Sequence, residues 1–288
     1  MSSREVHRIV HANRQKEGAG FIVRRPFPVA GLEVVDPFLL LDEMGPADYA
    51  PGEAVGAPDH PHRGFETVTY MIEGEFEHED SAGNRGSIRA GDVQWMTAGD
   101  GVIHSEEPAA WIKQRGGRVH GFQLWVNLPA RSKRIAPRYQ DVRAETMPTW
   151  TCDDGRASVK VIAGRVLGVQ AQAETITPIT YLDVRLDDGA QVDLDIPAAQ
   201  SAFVYVFGGA LSAGEQARAV ADGDMALLTA GDTLTLRATA AGTRALVLAG
   251  EPLREPVARY GPFVMNTREE IHQAFADYQS GRFGQIAR

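Results

Sequence analysis

The sequence predicts an all-β chain, two tandem β-barrel domains ending in a C-terminal helix, and three observations support that reading. Short apolar or alternating runs separated by Gly, Asp and Asn recur at the spacing of an antiparallel sandwich or barrel, among them FETVTYMIEGEFEHE, HGFQLWVNL, ITYLDVRL, SAFVYVFGGAL and TRALVLAG. An approximate repeat relates VTYMIEGEF followed by IRAGDVQWMTAG to AFVYVFGGAL followed by LLTAGDTLTLRA: in each, a strand ends at a Gly-containing turn and another begins after Ala-Gly-Asp. Convincing helical patterning is confined to TREEIHQAFADYQSGRFG near the end.

The elements follow in order. The first barrel is expected over residues 1–135. The stretch LPARSKRIAPRYQDVRAETMPTW, rich in charge and proline and without periodicity, marks a break near residues 130–150, with RSKR as a solvated turn. The second barrel is expected over residues 136–288. In the closing helix Thr267 is the N-cap and Glu270 its capping-box partner, Ile271, Phe275 and Tyr278 form the apolar stripe, and Gly281 is the stop.

Composition narrows the function. With 288 residues and 43% hydrophobic content the chain can fill a substantial core. A net charge of −9 lacks the basic footprint of nucleic-acid recognition, and no run of about 18 apolar residues suggests a membrane span. A single cysteine, Cys152, excludes an internal disulfide. No N-terminal apolar core of a secretory signal precedes the first strands, so the expected location is the cytoplasm.

Four of the eight histidines fall between Asp59 and His104. Residues two apart in a strand share a face, so His60 and His62 present two imidazoles side by side, and His104 and Glu106 repeat that spacing. If the two strands are neighbours, three imidazoles and a carboxylate converge, a donor set suited to first-row transition metals with positions left open for substrate. Glu107 is an alternative to Glu106. Glu66 is either an acidic support of the site or a structural hydrogen-bond partner. His78, His120, His7, His11 and His272 read as structural or solvent-exposed. No histidine lies between Val142 and Met265, so a histidine-built site belongs to the first domain.

The segments HPHRGFETVTYMIEGEFEHEDSAGNRG, GDVQWMTAGDGVIHSE, HGFQLWVNLP and GPFVMNTREEIHQAFADYQSGRFG resemble the pirin family of the cupin superfamily over nearly the whole chain. The resemblance implies two cupin barrels (double-stranded β-helices) with one divalent metal in the N-terminal one, held by His60, His62, His104 and Glu106. The turn GDGVIH departs from the general cupin pattern in lacking a proline. Iron(II) is the metal implied, with Zn, Ni, Cu and Mn also compatible with the donors. Two functions follow from the family. One is quercetin 2,3-dioxygenase activity on a flavonol-like aromatic substrate and O2, with Glu106 as proton acceptor and Phe65, Trp95, Phe122 or Trp125 as aromatic walls. The other is a metal- or redox-responsive regulator that binds a transcription factor or metabolic enzyme. The chain is expected to be a monomer.

Overall fold

The computed structural model describes residues 2–288, which form two compact units. One gathers the segment ending at Asn13, residues 35–37 and residues 145–252; the other gathers residues 14–34, 38–144 and 253–288. A division at 135/136 therefore does not describe the units. The change of unit at Ala144/Glu145 falls inside the expected break, but the terminal segments are exchanged, and the C-terminal helix belongs with the histidine-bearing barrel.

That barrel has a seven-stranded antiparallel sheet in the order Arg138–Val142, Val93–Thr97, Phe65–Glu73, Gly117–Asn127, Phe38–Tyr49, Phe21–Phe27 and Asn13–Glu17. Its second sheet runs Ala57–His62, Val102–Pro108, Glu75–Asp80, Arg85–Arg89. The strand Phe65–Glu73 is rich in aromatic and β-branched residues and lies between two neighbours, so residues 65–71 are all buried. Gly64, at φ +89°, precedes it, and a Cβ there would come within 2.0 Å of the Val264 carbonyl oxygen, so only glycine lets the C-terminal segment pass.

The other unit pairs a seven-stranded sheet with the four-stranded sheet Gln191–Asp195, Thr233–Ala238, Ala210–Ala213, Arg218–Ala221. The repeat is visible as strand order, in a different register from the one the motifs suggest. Val93–Thr97 corresponds to Asp224–Leu228, so Ala98-Gly99-Asp100 is the counterpart of Ala230-Gly231-Asp232. In the first barrel Val102 pairs with His62 and His104 with His60; in the second Leu234 pairs with Leu194 and Leu236 with Val192. The positions that carry imidazoles in one barrel thus carry aliphatic side chains in the other, all within its main apolar core.

The helix Arg268–Gln279 has the expected capping box: Glu270 N donates to Thr267 Oγ1 at 3.2 Å and Thr267 N to Glu270 Oε2 at 2.9 Å. Its buried stripe is Ile271, Ala274 and Asp277, whereas Phe275 lies at the margin and Tyr278 is 37% exposed. The stripe is displaced because Asp277 accepts hydrogen bonds from Arg63 Nη1 at 2.8 Å, Gln273 Nε2 at 2.8 Å and Arg282 Nη1 at 2.9 Å. Arg63 is itself buried, immediately after His62. Asp277→Ala strands the Arg63 charge with only its contacts to Asp100 and the Phe283 ring, and should lower stability by about 3 kcal/mol in chemical denaturation. Lys133, expected in a solvated turn, is instead buried and donates to Asn127 Oδ1 and to the Gly64 and Val264 carbonyls, and burial pushes its ammonium down to about 8.

Candidate metal centre

The strands Ala57–His62 and Val102–Pro108 are antiparallel neighbours, as the spacing requires, with His104 directly opposite His60. The ligand atoms of His60, His62 and His104 lie within 4.8 Å of one another. His60 Nδ1 is 2.8 Å from the Pro58 carbonyl oxygen and His62 Nδ1 is 3.3 Å from that of Pro262. A proton on Nδ1 in each leaves the Nε2 lone pair free, an orienting contact usual for histidines that hold a metal. His104 is buried with neither ring nitrogen hydrogen-bonded. An orphaned buried imidazole is costly unless something else satisfies it, and a metal ion would do so. The residues present fit such an ion.

Electrostatics favour the same role. His62 and His104 are held well below the ordinary histidine range, first by burial and next by the neighbouring His60. A depressed pKa keeps the ring neutral as pH falls through 6.5, whereas a free histidine surrenders its lone pair there. Three free histidines would lose roughly fifty-fold in metal affinity between pH 7.5 and 6.0. Here the loss should stay below about fivefold, as checked by competition with a chelator at the two pH values.

Glu106 is not part of the three-histidine group. The pairing shifts register by one residue of the Ala57–His62 strand, which sets Glu106 opposite Ala57, while Glu106 keeps the face it shares with His104 and lines one cavity with His60 and His62. Its carboxylate is tied to the neighbouring sheet, with Oε1 2.7 Å from Thr69 Oγ1 and Oε2 3.1 Å from Gln123 Nε2. Glu107 lies in an ion pair with Lys113. Glu66 does not support the site. The turn at Gly64 restarts the alternation, so Glu66 faces away from Phe65 and Thr69 and accepts from Thr97 Oγ1 at 2.6 Å.

His78 stands opposite Glu106 and stacks on Tyr139, with ring centroids 5.2 Å apart. His120 is structural: its Nε2 is 2.9 Å from Glu43 Oε1. Of the four aromatic candidates, Phe65 and Trp125 lie against His62, at 5.0 and 5.2 Å between centroids. Trp95 and Phe122 are fully buried core residues.

The imidazoles of His60 and His62 open onto a cavity of 490 Å³ that Glu106, Gln123, Trp125 and Arg259 also line. Thr69 and Gln123 share the inward parity of their strands and are accessible to pattern reading once the strands are paired. Pro262 and Arg259 come from the C-terminal segment, and no sequence signal links them to histidines some 200 residues away.

Two double-stranded β-helices, one with three histidines converging beside a cavity that two of them line, define a bicupin with a site able to hold a metal ion. Residues 20–126 match the family described as Pirin and residues 181–284 the Pirin C-terminal cupin domain. The chain belongs to the pirin family. A pirin-like protein of Solanum lycopersicum is 43% identical over 277 residues, 96% of this chain and 91% of that protein. Pirin of Mus musculus is 42% identical over 287 residues, 98% of this chain and 95% of that one. Among solved structures, a quercetin 2,3-dioxygenase from Acinetobacter baumannii matches with a TM-score of 0.93 and 38% identity, covering 99% of each chain. Among the described residues no helix is long and apolar enough to cross a membrane.

Proposed function

We propose that the chain is a metal-dependent dioxygenase that cleaves flavonols such as quercetin at the 2,3 position with release of carbon monoxide. Its ligands to one divalent metal, Fe(II) in this reading, are His60, His62 and His104, with Glu106 as fourth ligand and proton acceptor. The observation that supports this best is the convergence of three histidines, two of which, His60 and His62, line a cavity of 490 Å³ together with the carboxylate of Glu106. That volume lies in the ordinary range for small-molecule sites.

A metal bound there supplies Lewis acidity that favours the deprotonated 3-hydroxyl of a flavonol. The protein's part is to orient the substrate and take its proton. Trp125, which lines the cavity and packs on the buried Phe65 at 4.3 Å between centroids, gives an apolar wall for a flat ring. Glu106 accepts the hydroxyl proton, and Thr69 and Gln123 hold its carboxylate in place. Thr69 Oγ1 lies 2.7 Å from Glu106 Oε1 and 2.6 Å from Gln123 Oε1, and its single proton can serve only one of them at a time. Toward the carboxylate form Thr69 donates to Glu106. Once Glu106 carries the proton on Oε1, it donates to Thr69, whose own proton turns to Gln123. Both protonation states are thus satisfied without moving a side chain.

The test is aerobic loss of the flavonol absorption band, with carbon monoxide trapped as product, using protein loaded in turn with Fe(II), Ni(II), Cu(II) and Mn(II) and assayed for metal content. Turnover with one of them is the expected result. No oxygen-dependent turnover of any flavonol by any loaded form overturns the reading and leaves the regulatory one in its place.

A further inference from the structure

Arg259 stands in the short strand Ala258–Tyr260 of the C-terminal segment and lines the same cavity as His60 and His62. Its guanidinium carbon lies 4.7 Å from the centroid of the Trp125 ring, whose other neighbour is His62 at 5.2 Å. One indole ring therefore spans the space between this cation and the imidazole group. Arg259 Nη1 donates to the Leu39 carbonyl oxygen at 3.1 Å. A carbonyl and a π-face hold the guanidinium in place without cancelling its charge, and the residue is exposed.

The cavity's other arginine is spent. Arg25 makes a bidentate pair with Asp42 at 2.6 and 2.5 Å and reaches Glu17 at 2.8 Å. Glu17 and Asp42 are thereby committed to Arg25, and Glu33 is the remaining carboxylate whose field reaches Arg259. A guanidinium has five N–H donors in a planar fork that matches a carboxylate or phenolate. One is used on Leu39.

We propose that Arg259 is a specificity-determining residue that selects aromatic substrates carrying an anionic oxygen, phenolate or carboxylate, at the end remote from the metal. The proposal deepens the dioxygenase reading and rests on it for the aromatic substrate at the histidine group. It assigns Arg259 no part in holding the metal or moving the proton. Substrate is then gripped at two cationic points with the Trp125 ring between them, which fixes its orientation as well as its identity.

The test uses Ni(II)-loaded full-length protein, calorimetric titration and two probes, 3,4-dihydroxybenzoate and its methyl ester. Both offer the same catechol to the metal and differ in charge at the far end. Wild type should bind the acid about tenfold or more tighter than the ester, as charge-assisted hydrogen bonds imply. Arg259→Leu should erase that preference while leaving metal content and ester affinity unchanged, and Arg259→Lys should restore it in part. The proposal is overturned if wild type shows no preference, if the preference survives in Arg259→Leu, if ester affinity falls equally, or if neither probe binds. The preference appearing in a protein that turns over no flavonol sinks the dioxygenase reading alone. Flavonol turnover whose KM and charge selectivity are untouched by Arg259→Leu sinks this one alone.

Discussion

His62→Ala and His104→Ala proteins should lose nearly all bound metal. Each residue supplies one of only three imidazoles in the group, and losing even an outer-shell partner costs roughly 10–100-fold in affinity, so losing a ligand should cost more. The aliphatic core of the other barrel contains none of these residues and should keep its thermal transition. In the His104 variant the metal-free protein should not be badly destabilised, since the deleted imidazole is buried without a hydrogen-bond partner and its desolvation already costs stability. Elemental analysis of purified variants decides the matter: metal stoichiometry in His62→Ala equal to wild type would mean that the ligand assignment is wrong.

Glu106→Gln should separate catalysis from metal binding. Three imidazoles remain to hold the ion, and the near-isosteric amide keeps its place between Thr69 and Gln123. What disappears is the basic oxygen that takes the flavonol proton. Turnover per bound metal should fall by roughly two to four orders of magnitude while occupancy changes far less. Equal activity per metal in the variant would move the proton acceptor elsewhere. His78 is then the next candidate, since it is buried opposite Glu106 with both ring nitrogens unpartnered. Glu66, on the far face of its strand, is not.

The sequence by itself determined the features that rest on local periodicity and short spacing. Alternating runs mark the strands because side chains two apart share a face, and the helix start is legible because Thr267 and Glu270 satisfy each other's backbone within one turn. For the same reason the His-x-His and His-x-Glu spacings raise the expectation of a metal site in the first barrel, where His60, His62 and His104 do converge.

Tertiary structure decided whatever depends on which strand lies beside which. The pairing of strands ties the Glu106 carboxylate to Thr69 and Gln123 at the wall of the cavity it shares with His60 and His62, and the glycine turn before Phe65 reverses the face of Glu66. Lys133 is buried because Gly64, Asn127 and Val264 bring three acceptors to it from distant parts of the chain. The exchange of terminal segments places Pro262 and Arg259 at a cavity whose histidines come from residues 60–104. Such contacts are selected by the total burial and hydrogen bonding of the folded chain, which no short window of sequence contains, so the three-histidine cluster could be read from spacing while its surroundings could not.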